Sequence, residues 1–182
     1  MSEPTRARSD AVSNRAQSLP VRAGTGDARD GGILRRMSDA SSLTLHLERV
    51  LYAPRDRVFA AFVEPAQLGK WWGPAGFTAR SVEFDAREGG RYRIKMQPPD
   101  GDAFYLRGQY SEVDPPQRLV HTFEYEQPDP DDRVTLVTLS FFDHPDGTRL
   151  VFEQGSFTTP ARYELHETGW SETLDRLAEF LS

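Results

Sequence analysis

Residues 160–182 read PARYELHETGWSETLDRLAEFLS, and we expect the fold to be organised around this stretch. Side chains recur there at three- and four-residue steps, which places them on one face of a helix: His166, Trp170, Thr173, Leu174, Leu177 and Leu181. Pro160 suits the first helical turn, because its missing N–H would have no intrahelical partner there. Gly169 interrupts the middle of this helix at a cost of about 1 kcal/mol relative to alanine. We therefore expect Gly169 to let another element approach or to leave room for a bound molecule.

The segments before this helix show the two-residue alternation of half-buried strands. Strands are predicted over 43–52, 77–85, 91–97, 104–110, 119–125, 134–142 and 149–154, and two short helices over 54–62 and 64–72. Gly108 suggests a bulge or a close approach within its strand. Short connections favour antiparallel pairing. The sequence therefore predicts an α+β fold in which a curved, antiparallel, seven-stranded sheet packs all its helices, including the long C-terminal one, on one apolar face.

The N-terminal region differs in composition from the rest of the chain. Residues 1–37 contain seven arginines and four acidic residues, a net charge of +3. Since the whole chain has a net charge of −6, residues 38–182 carry −9. This region has almost no periodic apolar content, which predicts a disordered tail over residues 1–40, with Met37 as an alternative translation start. Residues 41–182 are predicted to form one domain.

Composition excludes several classes of function. A negative net charge argues against sequence-independent binding of nucleic acid, which needs a basic surface. No apolar run approaches the roughly 18 residues of a membrane span, and the absence of cysteine removes disulfides and thiolate ligands. No spacing of residues indicates a metal or cofactor site, so we predict neither. These features are compatible with a cytoplasmic protein, which is our prediction.

Several short motifs occur in a characteristic order: PRDRVF (54–59), EPAQL (64–68), KWWGP (70–74), EGGRY (88–92), VDPPQRLV (113–120), GTRL (147–150) and HETGW (166–170). In this order and spacing the chain resembles the START-like, or SRPBCC, helix-grip superfamily. Within it, the motifs are similar to the branch related to the C-terminal domain of the activator of the heat-shock-protein-90 ATPase. The resemblance covers roughly residues 43–182.

This resemblance implies a largely apolar cavity between the C-terminal helix and the sheet. Relatives use such cavities to bind lipids, sterols, polyketides and other hydrophobic small molecules, so a hydrophobic or aromatic ligand is the partner we predict. A minority are cyclases, aromatases or hydrolases, and the eukaryotic co-chaperone uses the fold to bind protein. An enzyme and a chaperone-interacting module therefore remain alternatives.

The predicted cavity residues are aromatic or polar side chains of the inner faces, together with Gly169: Trp71, Trp72, Phe77, Tyr92, Phe104, His121, Phe123, Tyr125, Phe152, His166, Gly169 and Trp170. Ordinary core packing accounts equally for most of the aromatic members. His121 and His166 are the candidates for acid–base chemistry, if both face one pocket. The alternative, which we favour, is that each histidine is a satisfied polar group lining the core, and no catalytic residue is assigned.

Overall fold

A computed structural model describes residues 43–182, so the predicted tail lies outside the described residues. The elements are β1 (Leu43–Leu51), α1 (Arg55–Val63), α2 (Pro65–Trp71), β2 (Thr78–Phe84), β3 (Arg91–Gln97), β4 (Phe104–Asp114), β5 (Arg118–Tyr125), β6 (Thr135–His144), β7 (Gly147–Phe157) and α3 (Pro160–Leu181). The strands form one antiparallel sheet in the order β1-β7-β6-β5-β4-β3-β2. The predicted α+β helix-grip architecture is confirmed.

Three strands extend beyond their predicted ends, β4 to Asp114, β6 to His144 and β7 to Phe157. In β4 the register against β5 shifts between Tyr110 and Glu112. This irregularity interrupts the inward–outward alternation, on which the sequence-based boundary depended. The bulge predicted at Gly108 is not found there, because Gly108 pairs in regular register with Tyr92.

The long helix α3 begins as its sequence predicts. Thr159 caps the helix, since its Oγ1 accepts a hydrogen bond from the backbone N–H of Arg162 at 3.3 Å, and Pro160 occupies the first turn. The buried residues of α3 are the six predicted from periodicity: His166, Trp170, Thr173, Leu174, Leu177 and Leu181. They face β1 and β7, so the apolar stripe packs across the sheet.

Arg176 joins the polar side of α3 to the loop between α2 and β2. Its Nη1 donates to the carbonyl oxygens of Gly73 at 2.7 Å, Pro74 at 3.0 Å and Phe77 at 3.1 Å. The substitution Arg176→Met keeps the apolar stem but removes these charged donors, and should lower the free energy of unfolding by about 2–3 kcal/mol. Urea denaturation measures the loss.

Arg49→Met is the matched control, since Arg49 also reaches α3. It does so through an ion pair with Asp175 at 3.3 Å, in which both side chains are solvent-accessible. Such pairs contribute about 0–1 kcal/mol, so the control should change stability little. Equal losses in the two variants would show that the Arg176 contacts do not anchor the loop.

Candidate ligand-binding site

A chain of buried hydrogen bonds connects α3 to the sheet. Gln154 of β7 is fully buried, and its Oε1 accepts from Trp170 Nε1 at 2.6 Å and lies 3.1 Å from His166 Nδ1. The Gln154 Nε2 donates to Thr135 Oγ1 at 2.8 Å, and the Thr135 hydroxyl donates to the carbonyl of Phe123 at 3.4 Å. We call Gln154, Thr135, His166 and Trp170 the Gln154 cluster. These hydrogen bonds satisfy the polar atoms named here inside an otherwise apolar core, which is the condition for burying them.

Aromatic rings surround the imidazole of His166. Its ring centroid lies 4.8 Å from that of Phe157, 5.5 Å from Phe123 and 6.0 Å from Tyr125. Burial among these rings lowers the pKa of His166 to about 4, although Asp132 opposes the shift. Burial likewise raises the pKa of Tyr125 to about 12. At neutral pH both side chains are therefore uncharged.

A small cavity adjoins this group at the N-terminal end of α3. Its volume is about 10 Å³, and it is lined by Phe123, Tyr125, Asp131, Asp132, Arg133, Thr135, Ser156, Phe157, Thr158, Arg162 and His166. Residues 127–134, which we call the acidic loop, supply three of these side chains. Arg162 holds the loop through ion pairs with Asp129 and, at 3.3 Å, Asp132. The cavity thus lies between aromatic rings on one side and a charged loop on the other.

The middle of α3 rests directly on aromatic rings. The Trp170 centroid lies 4.4 Å from Phe152, 5.1 Å from Trp72 and 6.1 Å from Phe123, and these side chains are buried. The structure therefore brings Trp72, Phe123, Phe152 and Trp170 of the predicted set together with Tyr125 and His166. The small cavity is next to Phe123, Tyr125 and His166 of this set.

His121 lies in a different aromatic group. Its ring packs against Tyr92 and Tyr110 with centroids at 5.2 and 5.4 Å, and its Nδ1 is 3.0 Å from the Thr122 carbonyl. Burial lowers its pKa to about 4. Within residues 43–182, no ring contact joins His121 to His166. An acid–base pair of the two histidines is therefore not assembled in this conformation.

The other predicted residues are divided between two places. Trp71 fills the corner between the short helices, donating from Nε1 to the Ala61 carbonyl at 3.1 Å. Phe77 contacts Phe104, and Phe104 in turn contacts Tyr125, with centroids at 6.3 and 5.9 Å.

Gly169 lies on the part of α3 next to the α2–β2 loop. A methyl group at Gly169 would lie 3.6 Å from Pro74 Cγ, an ordinary van der Waals distance. Because this methyl group would fit, the approach of Pro74 to α3 does not require a glycine at this position.

Eight of the eleven residues that line the cavity were not among the predicted ones, including Asp132, Thr135, Phe157 and Arg162. Phe157 is buried because the register of β7 against β1 shifts between Leu43 and Leu45, which moves the alternation by one residue after Gln154, so strand periodicity does not predict it. Asp132 belongs to a loop without periodicity, and Arg162 lies outside the apolar stripe of α3. Neither position carried a usable signal.

A larger open groove of about 690 Å³ lies along the strands β2 to β5 and is lined mainly by charged side chains. Its charges are largely paired, as in Arg93 with Glu126 and Arg107 with Glu124 at 2.8 Å. Arg93 and Arg107 therefore belong to a surface whose charges are paired. In the described range, no group of three or more His, Asp or Glu side chains is arranged to hold a metal ion, and no helix is both long and apolar enough to cross a membrane.

The sheet order, the two short helices after β1 and the long closing helix define a START-like helix-grip protein. A family model described as "Activator of Hsp90 ATPase homolog 1-like protein" matches residues 52–182. The chain belongs to this family.

Solved structures of bacterial proteins agree with that assignment. A protein from Chromobacterium violaceum is 30% identical, with a TM-score of 0.71 over 76% of this chain and 96% of its own. One from Nitrosomonas europaea is 30% identical, with a TM-score of 0.66 over 78% and 95% of the two chains. The AHSA1 protein of Silicibacter pomeroyi is 29% identical, with a TM-score of 0.65 over 75% and 95%. A search of curated proteins finds no match.

Proposed function

We propose that this protein binds an aromatic, largely apolar small molecule beneath the N-terminal half of α3, next to His166. One observation carries the proposal. His166 lines the cavity among aromatic rings, and its Nε2 has no hydrogen-bond partner within residues 43–182. Aromatic walls with a few well-placed polar groups are typical of small-molecule sites. The cyclase or hydrolase activity and the chaperone partner stay predictions.

The size of the cavity requires that something moves on binding. A volume of about 10 Å³ holds about one water molecule, whereas sites for small molecules usually measure about 300–1,000 Å³. The acidic loop is the element that can move at the lowest cost, because it buries no apolar side chain. Residues 127–131 are exposed, and Val134 is 57% exposed.

Polar contacts hold the acidic loop in place. Arg162 pairs with Asp129 and Asp132, and the Thr158 hydroxyl donates to the carbonyl of Asp131. Breaking such contacts exposes charged groups to water, which solvates them, so opening does not incur the cost of exposing a hydrophobic core. We therefore propose that the acidic loop is the entrance to the binding site and that the ion pairs of Arg162 hold it closed.

The neutral fluorescent probe N-phenyl-1-naphthylamine tests the proposal. We expect its fluorescence to rise on binding the native protein and the melting temperature of the protein to increase with probe concentration, because a ligand of the folded state stabilises it. Absence of both effects, for this probe and for a panel of neutral aromatic compounds, would reject ligand binding at this site.

Substitution of Arg162 tests the proposed entrance separately from ligand binding. Arg162→Gln removes both ion pairs of Arg162, so the loop should open more often and the association rate of the probe should increase several-fold. Arg149→Gln is the matched control, since it removes an ion pair with Glu48 at 3.2 Å on the β1–β7 surface. The control should leave the association rate unchanged, and an equal rate for both variants would mean that the ligand enters elsewhere. Stopped-flow fluorescence measures the rates.

A further inference from the structure

The hydrogen bonds of the Gln154 cluster determine how its side-chain amide is oriented. An indole N–H can only donate, and Trp170 Nε1 lies 2.6 Å from Gln154 Oε1. On the other side of the amide, Gln154 Nε2 donates to Thr135 Oγ1, whose own proton is directed to the Phe123 carbonyl. Reversing the amide would place its NH₂ group against the indole donor. The oxygen of Gln154 therefore faces Trp170.

This orientation in turn determines the tautomer of His166. The same oxygen, Gln154 Oε1, lies 3.1 Å from His166 Nδ1 and can only accept, so Nδ1 carries the proton. Because burial keeps the ring neutral at pH 7, Nε2 then holds a lone pair. Trp170 thus acts through Gln154 to make His166 a hydrogen-bond acceptor toward the cavity.

The charges near the cavity do not favour an anionic ligand. Arg162 is already paired with Asp129 and Asp132, and the Asp132 side chain is only 8% exposed. Among the charged side chains of the loop and the cavity, Asp129, Asp131 and Asp132 outnumber Arg133 and Arg162. A carboxylate entering here would meet a lone pair and a buried aspartate, both of which repel it.

We propose that the ligand is a neutral aromatic molecule bearing a hydroxyl group, of the phenol class, whose O–H donates a hydrogen bond to Nε2 of His166. This inference rests on the proposed function and specifies its ligand. The rings of Phe123, Tyr125 and Phe157 provide the contact surface for the aromatic part. The acceptor on His166 selects for the hydroxyl group, because an ether of the same shape has no proton to donate.

Three ligands of one ring system test the inference by calorimetry: 2-naphthol, its methyl ether and 2-naphthoate. We expect 2-naphthol to bind about tenfold more tightly than the ether, the effect of one buried hydrogen bond, and 2-naphthoate to bind more weakly than both. In His166→Phe the preference for naphthol over the ether should disappear. It should persist in His46→Phe, which changes an exposed histidine of β1.

The outcomes distinguish the proposal of ligand binding from the assignment of a phenol as the ligand. If 2-naphthol, its ether and 2-naphthoate bind with equal affinity, the phenol assignment is wrong and ligand binding stands. If none of them binds and the neutral probe also fails, both are wrong. Should His166→Phe not fold, nitrogen-15 NMR of the native protein decides the matter. A proton on Nε2 of His166, rather than on Nδ1, would overturn the inference.

Discussion

The free energy of unfolding is expected to fall by several kcal/mol between pH 7 and about pH 4.5, because two neutral histidines are buried. Burial lowers the pKa of both His121 and His166 from 6.5 to about 4. Between these values the unfolded chain binds protons that the folded chain does not bind. The contribution of the two neutral histidines to the free energy of unfolding is therefore fully present above pH 6.5. It decreases by about 1.4 kcal/mol per pH unit and per histidine as the pH falls toward 4.

Few neighbouring charges counteract this effect. Near His166, Asp132 favours the protonated ring and Arg162 disfavours it, so their influences partly cancel. His121 is favoured in its protonated form only by the hydrogen bond that its Nδ1 donates to the Thr122 carbonyl. Paired carboxylates contribute at lower pH. The hydrogen bond from Arg93 lowers the pKa of Glu126 below its usual 4.5, so the stability that this pair contributes is lost only as the pH falls below about 4.5.

Urea denaturation at a series of pH values measures how the free energy of unfolding changes with pH. His121→Gln and His166→Gln should each lose stability at neutral pH but remove about half of the pH dependence, since the two sites are separate. His46→Gln, at an exposed position, should keep the full dependence. Equal stability of the native protein at pH 7 and at about pH 5 would contradict the prediction, as would NMR titration midpoints of the two buried rings near 6.5.

The architecture could be predicted because each element carries its own periodic pattern. In α3 the apolar stripe has one residue every three or four positions, and all six predicted positions are buried. In β3 the alternation of Tyr92, Ile94 and Met96 with charged residues identifies the inner face without any knowledge of the partner strands. Antiparallel pairing could be predicted from the short turns, whereas the pairing of β1 with β7 joins strands that no turn connects, and no local pattern indicates it.

The candidate site depended on contacts that no periodicity encodes. Gln154 connects β7 to Trp170 and His166 only because α3 crosses the sheet at that height. Likewise the pairing of Arg162 with Asp132 joins the first turn of a helix to an irregular loop, at positions that are 30 residues apart in the chain. Such tertiary contacts determine the protonation state of the site residues and the accessibility of the site to a ligand, but the local sequence does not reveal them.

Gly108→Ala is expected to lower the free energy of unfolding by about 3 kcal/mol or more, or to prevent folding. A methyl group at this position of β4 would lie 1.9 Å from the Thr122 carbonyl oxygen in β5 and 2.5 Å from Cε1 of Tyr92. The ring of Tyr92 covers the glycine, and its hydroxyl donates to the same Thr122 oxygen at 2.8 Å. The close approach predicted at Gly108 is thereby confirmed, and the carbonyl belongs to the sheet backbone, which cannot withdraw without disturbing the β4–β5 pairing.

Gly169→Ala makes the same chemical change, but it is expected to raise the free energy of unfolding rather than lower it. Only Pro74 Cγ lies near the new methyl group, at 3.6 Å, so the helix should gain about 0.5–1 kcal/mol from the better propensity of alanine. Chemical denaturation of both variants provides the comparison, and circular dichroism identifies a variant that fails to fold. In a Tyr92→Leu background Gly108→Ala should remain costly, because the Thr122 carbonyl is still in place. A loss below about 1 kcal/mol in either background would contradict the prediction, because it would mean that β4 and β5 move apart at this point at little cost.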